Sequence, residues 1–317
     1  MILVLRALGV GDLATGIPAL RGLRRAFAGE ELALAAPAWL APLVELADAV
    51  HRLVPVDDLT PGPWDLAPPR LAVNLHGRGP QSHRLLQAAR PGRLLAFACR
   101  PAGHRDGPRW THEEHEVARW CRLLDWYGIE ADPHDLALRV PAARAVPRGV
   151  TVLHPGAKAT TRRWPPRRFA EVARALVAAG HDVVVTGSMA ERALAARVAG
   201  AAGLGPDAVL AGRTGVADLA ALVAGARLVV CGDTGVGHLA TAYGTPSVVL
   251  FGPVPPRLWG PPPDRPWHRA LWPGPASAGR RGRRRRSRQA LRRIRVDDVL
   301  DAAVRALAAA PSAAAAP

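Results

Sequence analysis

Two parts of the chain open with the same pattern: a short apolar run, a glycine-containing loop, and then apolar residues at helical spacing. The first copy starts at residues 2–5 and the second at 149–156. Continuous apolar runs of this length predict strands covered on both faces, and strands that alternate with helices predict parallel sheets. A chain of 317 residues is long enough for about two domains. We therefore predict an α/β fold with two Rossmann-like, doubly wound domains that face each other across a cleft.

Changes in composition place the predicted boundaries. Residues 130–149 are rich in proline, aspartate, alanine and arginine and have no helical period, so a linker is predicted at 141–149. The predicted segments are an N-terminal domain at 1–145, a second domain at 146–295, and a terminal helix with a disordered tail at 296–317. Within the domains, Thr15 is expected to cap the first helix and 209–212 to form a short strand. The Pro- and Trp-rich stretch at 259–272 is expected to be a wrapped connector.

Composition excludes several classes of protein. With 49% apolar and 21% charged residues the chain is not disordered, and its three scattered cysteines exclude a disulfide scaffold and a cysteine zinc site. No apolar stretch is long enough to span a bilayer, and the N-terminus lacks the basic region of a signal peptide. We therefore expect the protein to be cytoplasmic.

The formal net charge is +16, and much of it is local. The segment Arg280–Arg295 contains ten arginines and no acid, and without them the remaining charge is +6. Such a segment predicts an anionic partner, such as a phosphate, nucleic acid or acidic lipid, unless it is only a solvated charged loop. Because the chain has no nucleic-acid recognition module, we expect the segment to hold the protein at an anionic inner membrane face.

The loop after the first predicted strand contains Gly11 and Asp12. Residues 9–14 satisfy the pattern G-x-G-x-x-A of nicotinamide dinucleotide sites. That site also needs an acid at the end of the second strand, whereas this strand ends in alanine and proline at 36–37. The position of Asp12 allows two interpretations. It caps the helix by accepting backbone N–H bonds, or it acts as a general base towards a ligand at the end of the sheet.

Two loops in the second half combine glycine, hydroxyl and basic residues. The loop at 231–239 has three glycines, a threonine and a histidine at a helix start, which suits an anion. The loop at 154–165 has three cations and two hydroxyls, a mixture that suits a diphosphate. Because the loops follow two strands of one predicted sheet, we expect them to converge on one ligand; the alternatives are a buried histidine and an exposed basic loop. The residues predicted to bind it are Lys158, Thr161, Arg162, Asp233, Thr234, Gly235, Val236 and His238.

Weaker candidates lie elsewhere in the first half. Asn74 and His76 stand at another strand end, where they either line the side of a second substrate or form a turn. The histidines and acids at 112–116 imitate a metal cluster, but no third ligand has a matching spacing, so no metal site is predicted.

Three segments resemble glycosyltransferase family 9, the ADP-heptose:lipopolysaccharide heptosyltransferases. They are residues 11–20, the basic loop that ends at 162–165, and residues 233–246 followed by 250–253. The resemblance covers most of residues 1–260, with the segments in the same order. The D-T-G-x-x-H-L segment with the F-G-P strand is its most specific part.

The resemblance implies a GT-B architecture in which the first domain binds mainly the acceptor and the second binds the nucleotide-sugar. It implies inverting, metal-independent transfer without a cofactor, from an ADP-linked heptose or related sugar to a glycan or glycolipid of the cell envelope. Asp12 matches the family's proposed base, and Gly11, Asn74 and His76 are assigned to the acceptor side. Arg162 stands where the family usually has lysine, and Val254 where it usually has threonine.

Two other functions remain as alternatives to a transferase. The same cleft could serve a non-catalytic protein that binds a nucleotide or nucleotide-sugar. A less favoured alternative is an NAD-dependent Rossmann enzyme, which would need the ribose-binding acid that the second strand lacks.

Overall fold

The computed structural model describes residues 1–60, 64–142, 145–252, 254–274 and 290–311. Contacts between Cα atoms divide the chain into two compact units, Met1–Arg139 and Val140–Pro317. Each unit is built around its own five-stranded parallel sheet. The predicted boundary at 145/146 remains a prediction.

The first unit has the strand order β3-β2-β1-β4-β5. Its strands are β1 (Ile2–Leu5), β2 (Leu32–Ala36), β3 (Arg52–Pro55), β4 (Leu71–Asn74) and β5 (Arg93–Leu95). Its helices are α1 (Val10–Ala26), α2 (Ala41–Ala47), α3 (Gln81–Ala88) and α4 (Glu116–Trp126). The three central strands, β1, β2 and β4, are buried along their whole length, as the unbroken apolar runs predict.

The second unit has the strand order β10-β9-β8-β6-β7. Its strands are β6 (Thr151–His154), β7 (Val183–Val185), β8 (Leu228–Gly232), β9 (Ser247–Leu250) and β10 (His268–Leu271). Its helices are α5 (Pro166–Ala178), α6 (Arg192–Ala202), α7 (Val216–Ala224), α8 (Gly235–Tyr243), α9 (Pro256–Trp259) and α10 (Val296–Ala308). The inner faces of α5, α6 and α10 share one apolar core with the sheet.

Three local expectations are wrong. Thr15 does not cap α1, because the helix already begins at Val10, where the Asp12 carboxylate accepts the Gly9 N–H. Residues 209–212 contribute only an isolated bridge between Val209 and β7.

The third wrong expectation concerns 259–272, where residues 268–271 form β10 and pair in parallel with β9. Prolines stand close to both ends of this four-residue strand, and such a pattern predicts a connector. An edge strand tolerates nearby proline because it needs hydrogen bonds on one side only.

Some predicted features lie outside the described residues. They are the larger part of the arginine segment at 280–289, Pro253 of the F-G-P segment and the tail at 312–317. Among the residues that the structure does describe, no helix has both the length and the apolar character needed to cross a membrane.

Candidate active site

The strand orders locate one crevice in each unit. An open parallel sheet binds ligands outside the carboxyl ends of its strands, at the point where the strand order reverses. That point lies between β1 and β4 in the first unit and between β6 and β8 in the second. The segments that follow these four strands contain the residues that the sequence singles out, Asp12 and His76 in one unit and Arg162 and Asp233 in the other.

Asp12 lies in the first turn of α1, at the third helical position. Its Oδ2 accepts the backbone N–H of Gly9 at 3.1 Å, so Asp12 does make the helix-capping hydrogen bond that one of the two interpretations predicts. Oδ1 has no hydrogen-bond partner in the part of the chain that the structure describes. The carboxylate is half-buried, so one oxygen is held in place and the other is available to a ligand.

Asn74 and His76 play different parts in the loop after β4. Asn74 is fully buried, where its amide donates to Ser82 Oγ at 2.9 Å and its Oδ1 accepts the backbone N–H of His76 at 3.0 Å. This contact fixes the turn that carries His76. Burial lowers the pKa of His76 to about 4; the charge of Arg6 also lowers it and that of Asp12 opposes the shift. The imidazole is therefore neutral at pH 7.

Arg6 is the residue of the first unit that sequence reasoning missed. It follows β1 directly and is fully buried, and its guanidinium donates to the carbonyl oxygens of Asp12 and Leu75. An arginine is rarely buried without a partner, so a lone arginine after a continuous apolar strand is the signal that could have identified it.

The two predicted loops of the second unit meet. Arg162 Nη1 lies 3.4 Å from Asp233 Oδ2, which is nearly buried, while Arg162 is 41% exposed. The backbones also approach closely, since a Cβ added to Gly232 would lie 3.1 Å from the carbonyl oxygen of Arg162. The two loops lie next to each other, which leaves a partly exposed guanidinium at the switch point of the sheet; a common ligand for them stays a prediction.

The start of α8 forms the other side of this crevice. Thr234 is the residue before the first turn, and its buried Oγ1 interacts with the Cys231 thiol and with no oxygen or nitrogen of the described residues. Gly235 and Val236 follow in the first turn, where backbone N–H groups have no intrahelical acceptor. His238 is half-buried with its ring 5.9 Å from that of Trp259. The remaining predicted binding residues lie in the segment between β6 and α5, where Lys158 is exposed and Thr161 is half-buried.

Glu191 is a second residue that sequence reasoning missed. It follows β7, and its Oε2 accepts the N–H and the hydroxyl of Ser188 at 3.0 and 2.9 Å. Burial alone would raise the pKa of Glu191, but these hydrogen bonds and the charges of His154 and Arg163 outweigh it and lower the pKa. A Cβ at Gly156 would lie 2.4 Å from the Glu191 carboxyl group. The Ser-x-x-Glu spacing after a strand was the available signal.

Comparison with known proteins agrees with this architecture. The model of glycosyltransferase family 9 (heptosyltransferase) matches residues 111–271. Lipopolysaccharide heptosyltransferase 1 of Pseudomonas aeruginosa is 30% identical over 295 residues, which cover 82% of this chain and 80% of that protein.

Solved structures show the same fold. E. coli ADP-heptose LPS heptosyltransferase II is 22% identical with a TM-score of 0.75, over 97% of this chain and 98% of that one. The family 9 glycosyltransferase of Veillonella parvula is 18% identical with a TM-score of 0.79, over 97% of each chain. Both sheets thus have the arrangement of the GT-B fold. The chain belongs to glycosyltransferase family 9 and is a glycosyltransferase.

Proposed function

We propose that the chain transfers a heptose or a related sugar from an ADP-linked donor to a glycan or glycolipid acceptor of lipopolysaccharide or a similar cell-envelope polymer. The observation that supports this proposal is that the switch point of one sheet holds the half-buried carboxylate of Asp12, and that of the other holds the partly exposed guanidinium of Arg162 beside the start of α8. The same fold occurs in an E. coli heptosyltransferase solved with ADP, at a TM-score of 0.66 and 17% identity over 98% of each chain.

The second unit is proposed to hold the diphosphate of the donor. Arg162 is partly exposed and offers a planar pair of N–H donors. The Thr234 hydroxyl has only the weak Cys231 thiol as a neighbour among the described residues, and the first turn of α8 adds backbone N–H groups. His238 lies one turn further on. These donors stabilise the negative charge that develops on the leaving diphosphate, so the chemistry we propose proceeds without a metal ion.

The first unit is proposed to activate the acceptor. The Oδ1 atom of Asp12 accepts the proton of the acceptor hydroxyl while that oxygen attacks the anomeric carbon. The new C–O bond forms as the bond from the anomeric carbon to the diphosphate oxygen breaks on the opposite face, which inverts the anomeric configuration. Gly11, next to Asp12 in α1, is assigned to the acceptor side, and the loop fixed by Asn74 is proposed to present His76 to the acceptor.

A cavity lined by arginines in the first unit indicates the charge of the acceptor. The cavity has a volume of about 810 Å³, and its lining includes Arg100, Arg105, Arg109 and Trp110. In the described part of the chain these arginines have no acidic partner, which implies an anionic ligand.

Trp110 anchors the wall of this cavity, since its ring packs 6.1 Å from that of the fully buried Trp120. We propose that the acceptor carries a phosphate or carboxylate group, which the arginines of this cavity bind.

The donor assignment is tested with a thermal-shift panel of ADP, GDP, UDP, dTDP and NAD without added metal. A ligand at one hundred times its Kd stabilises the folded state by about 2.7 kcal/mol, which the panel detects. We expect ADP to give the largest shift. The variant Thr234→Val should weaken ADP binding roughly tenfold because a hydrogen bond to a charged group is lost. Thr241→Val, in the same helix but bonded to Gly237, should not.

Each outcome of the panel discriminates between functions. A shift with NAD alone would contradict the transferase site and favour the dinucleotide alternative. ADP binding by a protein that transfers sugar to no acceptor would favour the non-catalytic binding protein.

The acceptor assignment is tested with lipopolysaccharide that lacks heptose. Arg105→Gln and Arg109→Gln should each raise the KM for this anionic acceptor roughly tenfold and leave the KM for the donor unchanged. Arg25→Gln is the control, since Arg25 is an exposed arginine at the other end of α1. An equal effect of all three variants would show only a general loss of positive charge, and no effect at Arg105 and Arg109 would exclude this cavity.

A further inference from the structure

One buried side chain joins the two loops of the first crevice. The Arg6 guanidinium donates through Nε to the carbonyl oxygen of Asp12, through Nη1 to that of Leu75, and through Nη2 to Thr15 Oγ1 at 2.9 Å. Thr15 in turn donates its hydroxyl towards the carbonyl oxygens of Gly11 and Asp12, each at 3.0 Å. The turn that contains Asp12 and the loop that leads to His76 are therefore held by the same planar group.

The charge of Arg6 is balanced from a third element. Glu116, in the first turn of α4, has Oε1 3.3 Å from Arg6 Nη2, and both side chains are nearly inaccessible. Glu116 is also bonded to Arg119 and accepts the indole N–H of Trp120 at 2.9 Å. The Trp120 ring lies under the guanidinium at 4.8 Å. A buried charge that is paired and bonded on every side has a single stable orientation.

The charge of Arg6 also acts on the neighbouring imidazole. Burial and the charge of Arg6 lower the pKa of His76 to about 4, against the opposing charge of the Asp12 carboxylate. Arg6 therefore helps to keep the His76 imidazole neutral, in addition to fixing the turn that contains Asp12.

Resting on the function proposed above, we propose that Arg6 is a positioning residue for the reaction. It fixes the position of the Asp12 turn relative to the loop that carries His76, and the buried Glu116 carboxylate balances its charge. Arginine is required because a lysine ammonium is a single point of charge and cannot hold the two carbonyl oxygens and Thr15 in one plane.

The test compares Arg6→Lys with Arg119→Lys. Arg119 is a buried arginine bonded to the same Glu116, and its other bonds go to the carbonyl oxygens of Thr111 and Glu114. Both variants should lower the free energy of unfolding by similar amounts. Only Arg6→Lys should lower kcat, by roughly tenfold to a hundredfold, with ADP affinity and donor KM unchanged, since a small displacement of the base acts on the chemical step.

The outcomes separate this proposal from the function it rests on. If wild-type protein transfers no sugar, the proposed function fails. If the wild type transfers and Arg6→Lys has normal kcat, or Arg119→Lys loses as much kcat at equal stability, the positioning role is wrong. Should Arg6→Lys not fold, Thr15→Val keeps the side-chain shape but removes the hydroxyl that accepts from Arg6 and donates towards the carbonyl oxygens of Gly11 and Asp12. It should then lower kcat in the same selective way, and a normal kcat in that variant would likewise contradict the role.

Discussion

Gly16 shows how closely a single position in α1 is matched to Arg6. A Cβ added there would lie 2.8 Å from both Cδ and Nε of the Arg6 side chain, whose guanidinium is held by hydrogen bonds. Gly16→Ala should therefore lower the free energy of unfolding by about 1–3 kcal/mol through overpacking. Gly200→Ala, near the end of α6, has no atom within 4 Å of the added group. It should be neutral or stabilising by about 1 kcal/mol. Urea unfolding of both variants measures the difference, and equal behaviour would show that the Arg6 side chain adapts.

At the same scale, the site residues divide into those that the sequence could predict and those that it could not. Asp12 and His238 were found because they follow short apolar strands at loops rich in glycine, a local pattern. Arg6 and Glu116 lie 110 residues apart in the chain, and their pairing is a tertiary contact with no local signature. The capping role of Asp12 was also foreseeable as one of two interpretations, and the structure adds that capping uses only one carboxylate oxygen.

At the scale of elements, α10 is part of the core of the second unit. Val299 on its inner face is fully buried against the sheet, whereas Val304 on the same helix is 68% exposed. Val299→Asp should lower the free energy of unfolding by about 3–5 kcal/mol because an unpaired charge would be buried. Val304→Asp should change it by less than about 0.5 kcal/mol. Similar losses from both variants would mean that α10 does not pack as described.

Strands with apolar runs were predicted well, including the edge strand β7, whereas the edge strands β5 and β10 were not predicted. β1, β6 and β8 are central and buried along their whole length, so their sequences are mainly apolar and the strands follow directly from the sequence. β5 and β10 stand at the sheet edges, where three or four mixed residues suffice and their pairing depends on the neighbouring strand. The start of α1 was also placed too late in the sequence. The side chain that accepts the backbone N–H before the helix is Asp12, which lies inside the helix and not ahead of it.

At the scale of the whole molecule, buried histidines make stability depend on pH. Burial, helped by the charge of Arg265, lowers the pKa of His268 to about 3; burial also lowers the pKa of His154, against the opposing charge of Glu191. Unfolded histidine titrates near 6.5, so between pH 6.5 and 4 the unfolded chain binds protons that the folded protein does not. Stability should thus fall as the pH decreases through this range, by roughly 1–2 kcal/mol for each histidine at pH 5.

Urea unfolding at pH 7 and pH 5 measures this dependence. His268→Gln should flatten it, because the variant no longer has a buried imidazole that resists protonation. An unchanged pH dependence in His268→Gln would contradict the assigned shift.

The charge of the whole chain predicts a contact with anionic membranes. Replacing the seven arginines of 280–288 by serine removes nearly half of the net charge of +16. Binding to vesicles that contain acidic lipid should fall steeply and ADP affinity should not change, because attraction to such a surface adds about 1 kcal/mol per basic residue. Equal vesicle binding by the variant and the wild type would exclude this role for the segment.

The central claim, that Asp12 is the base of a sugar transfer, is tested most directly by Asp12→Asn with a matched control. Asp218 occupies the third position of α7 and accepts the Gly215 N–H at 3.1 Å, the same capping contact that Asp12 makes with Gly9. Asp12→Asn and Asp218→Asn should therefore lose similar stability. The measurement is sugar transfer from ADP-heptose to heptose-free lipopolysaccharide, with ADP affinity determined in parallel. We predict that Asp12→Asn binds ADP normally and loses transfer by a factor of roughly 10² or more, while Asp218→Asn transfers like the wild type. Normal transfer by Asp12→Asn would contradict the account.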